Sequence, residues 1–289
     1  MARRFRRCVQ SGFLVLGALA LAVVGCGGDD GAAPSAGPDL GGPVHVHGLG
    51  LNPDDGALFI ATHTGLFRSP DGAQRSERVG NRSQDTMGLT VVGPDHLLGS
   101  GHPDLRENLP PLLGLIESRD AGATWEPVSL LGEADFHVLE SSGDRVYGFD
   151  ASGGRLLLSR DAGKTWTRRP VPEPLVSLAI HPTDARRVIA SGERALYASD
   201  DEGRGWRRLT RAAGLLAWPE QRRTYLVAAD GSVSRSNGAG EKWRPAGDLG
   251  GQPAAFESMG KSELYAALHD GTVKQSADGG QSWRVRSRP

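Results

Sequence analysis

The sequence predicts an all-β fold built from six repeated units of about forty residues, and three observations support this. Glycine (41) and proline (18) make up about a fifth of the 289 residues, which is typical of many short strands joined by turns. No long stretch carries apolar residues at the spacing of an amphipathic helix. A short motif also recurs along the chain at a nearly constant interval.

The recurring motif has the form S-x-D-x-G-x-T-W. Two copies are complete, three are weaker, and the first has lost its second glycine and its tryptophan; the copies begin at Ser69, Ser118, Ser159, Ser199, Ser236 and Ser276. Intervals of 41, 40, 37 and 40 residues separate the motif tryptophans, which are Trp125, Trp166, Trp206, Trp243 and Trp283. One motif therefore marks each unit.

Each unit also contains four short segments with strand alternation and turn residues between them. In the sixth unit these segments are 253–258, 263–268, 272–275 and 282–286. Four strands repeated six times around an axis form a six-bladed β-propeller, which we expect over residues 44–289. Aromatic residues recur on the second strands and predict a packing band between blades: Phe59, Tyr147, Tyr225 and Tyr265.

The motif resembles the Asp-box (BNR) repeat of sialidases and sortilin-type receptors. This resemblance implies that each box is a structural turn, in which the aspartate accepts backbone N–H groups, the glycine takes a positive φ and the tryptophan packs against neighbouring strands. The box aspartates would be Asp71, Asp120, Asp161, Asp201 and Asp278. The resemblance thus predicts the fold more strongly than any activity.

The first 43 residues have the composition of an export signal and a tether. A basic start precedes an apolar run over 13–24 that is too short to cross a bilayer. The following tetrad, Val23-Val24-Gly25-Cys26, resembles the bacterial lipobox, which implies a signal peptide over 1–25 and lipidation of Cys26. Residues 26–43 would form a flexible tether. The alternative is an ordinary secretory signal that leaves an unpaired thiol.

These segments predict a lipid-anchored protein on the extracytoplasmic face of a membrane, or in the periplasm. Because Cys8 would be removed with the signal, the mature chain could form no disulfide. Without the four signal arginines, 29 basic residues face 34 acidic ones, and a net charge of −5 argues against nucleic-acid binding. We expect a monomer whose further partner is a small ligand, a glycan or a protein.

Histidines are concentrated in the first three units, and the repeat brings several together. Aligned first strands place His47, Met87 and His137 at equivalent positions of adjacent blades. His45 precedes His47 by two residues, which puts both on one face of a regular strand. His63 and His102 follow second strands and should lie at the same end of the propeller.

Imidazole and thioether ligands suit copper or zinc, and the thioether of Met87 favours copper. The predicted metal site therefore comprises His45, His47, His63, Met87, His102 and His137. The alternative is structural, because a histidine at a strand end commonly bonds a loop carbonyl and methionine commonly fills a core.

Glycoside hydrolysis is a second interpretation. The sialidase resemblance implies an arginine triad, a tyrosine nucleophile and an Arg-Ile-Pro motif, but no such motif occurs and the first strands lack arginine. We therefore expect no exo-sialidase activity. Another glycosidase would need two carboxyls, and the candidates by location are Asp104, Glu107, Glu133 and Asp135, the first two within an insertion over 103–112. A third interpretation is an assembly or interaction factor similar to the photosystem assembly propellers.

Overall fold

The computed structural model describes residues 42–289, which form six four-stranded antiparallel sheets. The inner strands of the sheets contact one another in a closed ring, and the sixth returns to the first. The predicted six-bladed β-propeller is therefore confirmed. The signal peptide, Cys26 and the tether up to residue 41 lie outside the described residues. In the described range, no helix is long and apolar enough to cross a membrane.

Each blade consists of four consecutive strands, numbered from the axis outwards. Blade 1 contains β1 Val46–Leu51, β2 Leu58–Thr62, β3 Gly65–Ser69 and β4 Glu77–Arg78. Blade 2 contains β5 Asp85–Gly93, β6 His96–His102, β7 Leu115–Ser118 and β8 Glu126–Ser129. Blade 3 contains β9 Phe136–Ser142, β10 Arg145–Asp150, β11 Arg155–Ser159 and β12 Thr167–Arg169.

The second half of the ring repeats this order. Blade 4 contains β13 Leu175–Ile180, β14 Val188–Gly192, β15 Leu196–Ser199 and β16 Arg207–Thr210. Blade 5 contains β17 Leu215–Glu220, β18 Arg223–Val227, β19 Ser232–Ser236 and β20 Trp243–Asp248. Blade 6 contains β21 Pro253–Met259, β22 Glu263–Leu268, β23 Val273–Ser276 and β24 Arg284–Ser287, within two residues of the predicted bounds.

The Asp boxes form the turns between the third and fourth strands. Oδ1 of Asp120 accepts hydrogen bonds from the hydroxyl of Ser118 and the backbone N–H of Thr124, each at 2.8 Å. Gly122 has a φ of +87°, which a side-chain-bearing residue adopts only with strain. The first copy departs from this pattern, because Asp71 accepts only from the next N–H, that of Gly72, within its own turn.

Arg286 on the last strand of blade 6 contacts blade 1 beside its two-residue fourth strand, in addition to the contacts between the inner strands β1 and β21. Its buried guanidinium donates to the backbone carbonyls of Ala73 at 2.7 Å and Pro70 at 2.8 Å. A buried charged group needs such partners to offset its lost hydration. The degenerate first box is therefore held by the last strand of the chain.

The core lies between the blades. The predicted aromatic band is buried, since Phe59, Tyr147 and Tyr225 are fully enclosed and Tyr265 nearly so. The box tryptophans are only half-buried, and the one buried tryptophan is Trp218, on the inner strand of blade 5. Each box lies at the rim of an interface between blades, where one edge of the indole stays in contact with solvent.

Candidate functional site

The predicted histidine face exists at one mouth of the propeller, over blades 1 to 3. The mouth is formed where the inner strands begin and where the turns after the second strands lie. It holds two groups of side chains. The first group is His47, His63 and Asp85, and the second group is His102, Asp135 and His137.

The first group brings three potential ligand atoms close together. Oδ2 of Asp85 lies 2.8 Å from Nδ1 of His63, and Oδ1 lies 3.4 Å from Nε2 of His47. One ligand atom from each residue falls within 4.8 Å of the others. In residues 42–289, no other three His, Cys, Asp or Glu side chains meet this criterion.

Two atoms of the first group are buried without a hydrogen-bond partner, Nε2 of His47 and Oδ1 of Asp85. Buried polar atoms normally have a partner, and leaving one unpaired costs about 1–3 kcal/mol. Both atoms face each other across 3.4 Å without making a hydrogen bond. A cation or an ordered water between them would satisfy both.

The second group converges on one carboxylate. Nε2 of His137 lies 2.7 Å from Oδ2 of Asp135, and Nε2 of His102 lies 3.6 Å from the same oxygen. The Asp135 side chain is only 7% exposed, and its Oδ1 has no hydrogen-bond partner among residues 42–289. The two groups adjoin where Asp85 of the first and His102 of the second lie directly opposite each other on β5 and β6.

The pKa values of the mouth follow from these contacts. Burial raises the pKa of Asp85, but the imidazoles of His47, His63 and His102 outweigh it, and the pKa lies below its ordinary value. The carboxylate of Asp135 raises the pKa of His137 above its ordinary value, against a smaller effect of burial. These shifts favour the ionised carboxylate of Asp85 and the protonated imidazole of His137.

His45 does not follow the regular alternation that the sequence suggested. A β-bulge interrupts the pairing of β1 between Val46 and Gly48, and His45 precedes the strand with a φ of +53°. Its exposed ring lies 6.4 Å from that of His63, at the edge of the first group. His45 therefore lies outside the regular strand that the expectation assumed, although its ring and that of His47 both lie near His63.

Met87 faces the axial cavity below the mouth, together with His47 and His137, as the strand alignment predicted. This cavity has a volume of about 100 Å³, enough for several water molecules. Its floor carries two carboxyls that the sequence analysis missed, Glu140 of blade 3 and Glu257 of blade 6. Both residues also line the two cavities that continue along the axis.

The candidate catalytic carboxyls are mostly engaged elsewhere. Asp104 is buried and accepts from the backbone N–H of Ser83 and from the guanidinium of Arg106, and these hydrogen bonds keep its pKa far below the ordinary value. Glu107 pairs with Arg82 at 2.7 Å. These contacts fix the insertion against the loop that leads from blade 1 into blade 2.

The other two candidates differ from each other. Glu133 is exposed, and its backbone carbonyl accepts from Arg155 at 3.2 Å. Asp135 belongs to the second group of the mouth. Of the four candidates, Asp104 and Glu107 are thus held by arginines and Asp135 by a histidine, whereas Glu133 is exposed.

Asp85 is a residue of the mouth that the sequence-based prediction did not include, although the repeat contained a signal for it. It precedes Met87 by two residues, as Asp135 precedes His137 and His45 precedes His47. The same register that aligned the histidines therefore places a polar residue at the start of three adjacent inner strands.

Comparison with known proteins supports the repeat and the fold. The family model described as "Sortilin, neurotensin receptor 3" matches residues 114–232. The Dispase autolysis-inducing protein of Streptomyces mobaraensis is 28% identical over 163 residues, which cover 55% of this chain. The chain spans 39% of the length of that curated relative.

Solved structures share the propeller at low sequence identity. YCF48 from Cyanidioschyzon merolae is 13% identical with a TM-score of 0.53, covering 84% of this chain and 85% of its own. The GH74 xyloglucanase from Xanthomonas campestris is 19% identical with a TM-score of 0.56, covering 85% of this chain and 45% of its own. At such identities the likeness establishes the fold alone. The chain is a six-bladed β-propeller with Asp-box turns, and residues 114–232 are similar to the sortilin family model.

Proposed function

We propose that this protein is an exported, lipid-anchored propeller that binds a divalent transition-metal ion at His47, His63 and Asp85. The observation that carries the proposal is the closeness of the three ligand atoms, all within 4.8 Å of one another. The unpartnered buried atoms of His47 and Asp85 support it, because a cation between them would offset the cost of their burial.

The ligand set indicates the class of metal. Two imidazoles and a carboxylate suit zinc, and a site with three protein ligands leaves a fourth position for water or a ligand. Cuprous ion prefers thiolate and thioether ligands, whereas a carboxylate is a hard donor. We therefore place zinc ahead of copper, and the sequence-based preference for copper through Met87 is replaced by one based on Asp85.

The proposal predicts that His63→Ala and Asp85→Asn each remove one equivalent of tightly bound Zn²⁺. Losing one of three protein ligands should weaken the site by about 100-fold or more. Calorimetric titration of tag-free protein at pH 7.5 would measure this. Below the ordinary imidazole pKa of about 6.5 the affinity of the intact site should also fall, because protons compete for the nitrogens.

His96→Ala is the matched control, since His96 lies at the opposite end of β6 from His102 and pairs with Glu117 at 2.6 Å. Its Zn²⁺ binding should equal that of the unaltered protein. Unchanged stoichiometry and affinity in both His63→Ala and Asp85→Asn would refute the metal site.

Lipid anchoring, the second part of the proposal, predicts that Cys26→Ser blocks lipidation of the chain. The precursor should then remain unprocessed or the protein should become soluble, because a diacyl anchor binds membranes far more strongly than one chain. Membrane fractionation and intact mass spectrometry would measure this. Cys8→Ser, which alters a residue within the signal, should leave the mature protein unchanged. An unmodified mature N-terminus downstream of Cys26 would contradict the anchor.

Glycoside hydrolysis is the weaker candidate. The GH74 xyloglucanase has the same fold, but its identity to this chain is too low to carry its activity over. The carboxyls that share the axial cavity in this chain are Glu140 and Glu257, which also line two further cavities of about 160 and 340 Å³ along the axis. Low sequence identity, rather than cavity size, makes hydrolysis the weaker candidate.

A further inference from the structure

We propose that the mouth holds a second cation centre, formed by His102, Asp135 and His137, so that the protein binds two divalent transition-metal ions side by side. The class of cation rests on the proposed function of the first group. The existence of the second centre depends on separate contacts, and either centre can fail without the other.

The tautomer of His102 follows from its hydrogen bond to the insertion. Its Nδ1 lies 2.8 Å from the backbone oxygen of Pro111, in the insertion, and must carry the proton that this hydrogen bond needs. In a neutral imidazole, Nε2 then carries only a lone pair. This lone pair faces Oδ2 of Asp135 at 3.6 Å. Two acceptors in this arrangement repel each other, and either a second proton on the imidazole or a metal ion between the two atoms removes the repulsion.

Asp135 has fewer hydrogen-bond donors around it than its carboxylate oxygens can accept. Oδ2 accepts from Nε2 of His137 at 2.7 Å, while Oδ1 is buried and has no partner. The side chain is 7% exposed, so water reaches it poorly. A nearly buried carboxylate normally accepts several hydrogen bonds or binds a metal. The vacant acceptor capacity of Asp135 therefore points to a cation.

Both histidines of the second group are exposed enough to rearrange around a cation. The side chains of His102 and His137 are 41% and 39% exposed, so both imidazoles can turn toward Asp135 without disturbing the core. Two ligand atoms on a tetrahedral metal with bonds of about 2.0 Å lie about 3.3 Å apart. Binding would therefore bring Nε2 of His102 slightly closer to Oδ2 than its present 3.6 Å and move Nε2 of His137 slightly away from its present 2.7 Å. Binding would displace the proton between His137 and Asp135 into solvent, as expected for a metal that competes with protons.

The two centres would share a boundary. Asp85 of the first group and His102 of the second are directly opposed on β5 and β6, and such cross-strand neighbours have Cβ atoms about 5 Å apart. Two metal ions would thus lie over adjacent blades, both beside the axial cavity. Each group supplies two imidazoles and one carboxylate, so both centres should take the same class of ion.

Stoichiometry tests the proposal. The full chain, purified without an affinity tag, is dialysed against Zn²⁺ at pH 7.5, and bound metal is measured by mass spectrometry. We expect two equivalents for the unaltered protein, and one each for His63→Ala, His102→Ala and Asp135→Asn. The combination of His63→Ala with His102→Ala should bind none. Co²⁺ absorption provides a second readout, because each centre should contribute its own tetrahedral d–d bands.

The outcomes separate the two centres. Loss of one equivalent in His102→Ala but none in His63→Ala would support the second centre and refute the first. One equivalent in the unaltered protein, unaffected by His102→Ala and Asp135→Asn, would overturn the second centre and leave the first standing. His96→Ala should keep two equivalents. Equal thermal midpoints of the metal-free variants would establish that lost binding is not lost folding.

Discussion

Phe136→Ala is expected to lower the free energy of unfolding by about 3–5 kcal/mol, the usual cost of deleting a buried aromatic ring. The Phe136 ring is fully buried between blades 2 and 3, where it packs with Leu115, Leu139 and Val146. It also fills the space above Gly148, where the Cβ of any larger residue would come within 2.5 Å of the ring. The cavity left behind could not be closed by small shifts.

Trp166→Ala is the informative comparison. Its ring packs on that of Phe136 with centroids 5.0 Å apart, and its Nε1 donates to the hydroxyl of Ser129 at 2.9 Å. Because the indole is only half-buried, we expect a smaller loss of about 2 kcal/mol. Urea denaturation would measure both variants. A larger loss of unfolding free energy for Trp166→Ala than for Phe136→Ala would mean that the Asp boxes, rather than the buried core between the blades, hold the blades together.

The expected order of the two stability losses is the reverse of what the motif alone suggests. It shows which features of the fold the sequence predicts and which it does not. A repeat of constant length predicts the number of blades, the strands and the turns, because each unit forms the same local contacts. It does not predict how deeply a side chain is buried between units. Trp166 stands at the rim of an interface and Phe136 in its centre, although only the tryptophan belongs to the motif.

The strand register of the repeat also predicted which side chains lie at the mouth, but not the position of each of them. Register along the repeat placed His47, Met87 and His137 around one cavity. The β-bulge beside His45 has no sequence signature, so the position of that side chain could not be foreseen. Glu140 lies three residues after His137, but its opposite partner is 117 residues away in the chain and reaches it only when the ring closes.

That carboxyl pair leads to a pH-dependent prediction: the free energy of unfolding should fall as the pH rises from about 5 to 8, and replacing both glutamates by glutamine should remove much of this fall. Burial raises the pKa of Glu257 to about 7. Burial and then the negative charge of Glu257 raise the pKa of Glu140 well above its ordinary value.

The direction of this change in stability follows from the number of protons that the folded and unfolded states bind. In the unfolded chain a glutamate loses its proton near pH 4.5, whereas the folded protein keeps it to about pH 7 in Glu257. Between these values the folded state binds more protons, so its stability decreases with rising pH and stays low above the folded pKa. Below pH 4.5 both states are protonated and the pair adds no pH dependence.

His137 and His181 also line these axial cavities, and a raised pKa of His137 contributes stability that is likewise lost as the pH rises. The pKa of His181 is lowered by burial, which acts in the opposite direction. Subtracting the curve of Glu140→Gln with Glu257→Gln from that of the unaltered protein cancels these histidine contributions, because both proteins retain them.

The difference between the two proteins should therefore grow from about zero at pH 4.5 to roughly 2 kcal/mol in favour of the double variant at pH 8, after allowance for water in the cavity. Urea denaturation at closely spaced pH values would measure it. A difference that stays constant between pH 5 and 8 would show that the two carboxyls ionise independently in solvent. A growing difference would show that blades 3 and 6 meet across a cavity in which one negative charge opposes the next.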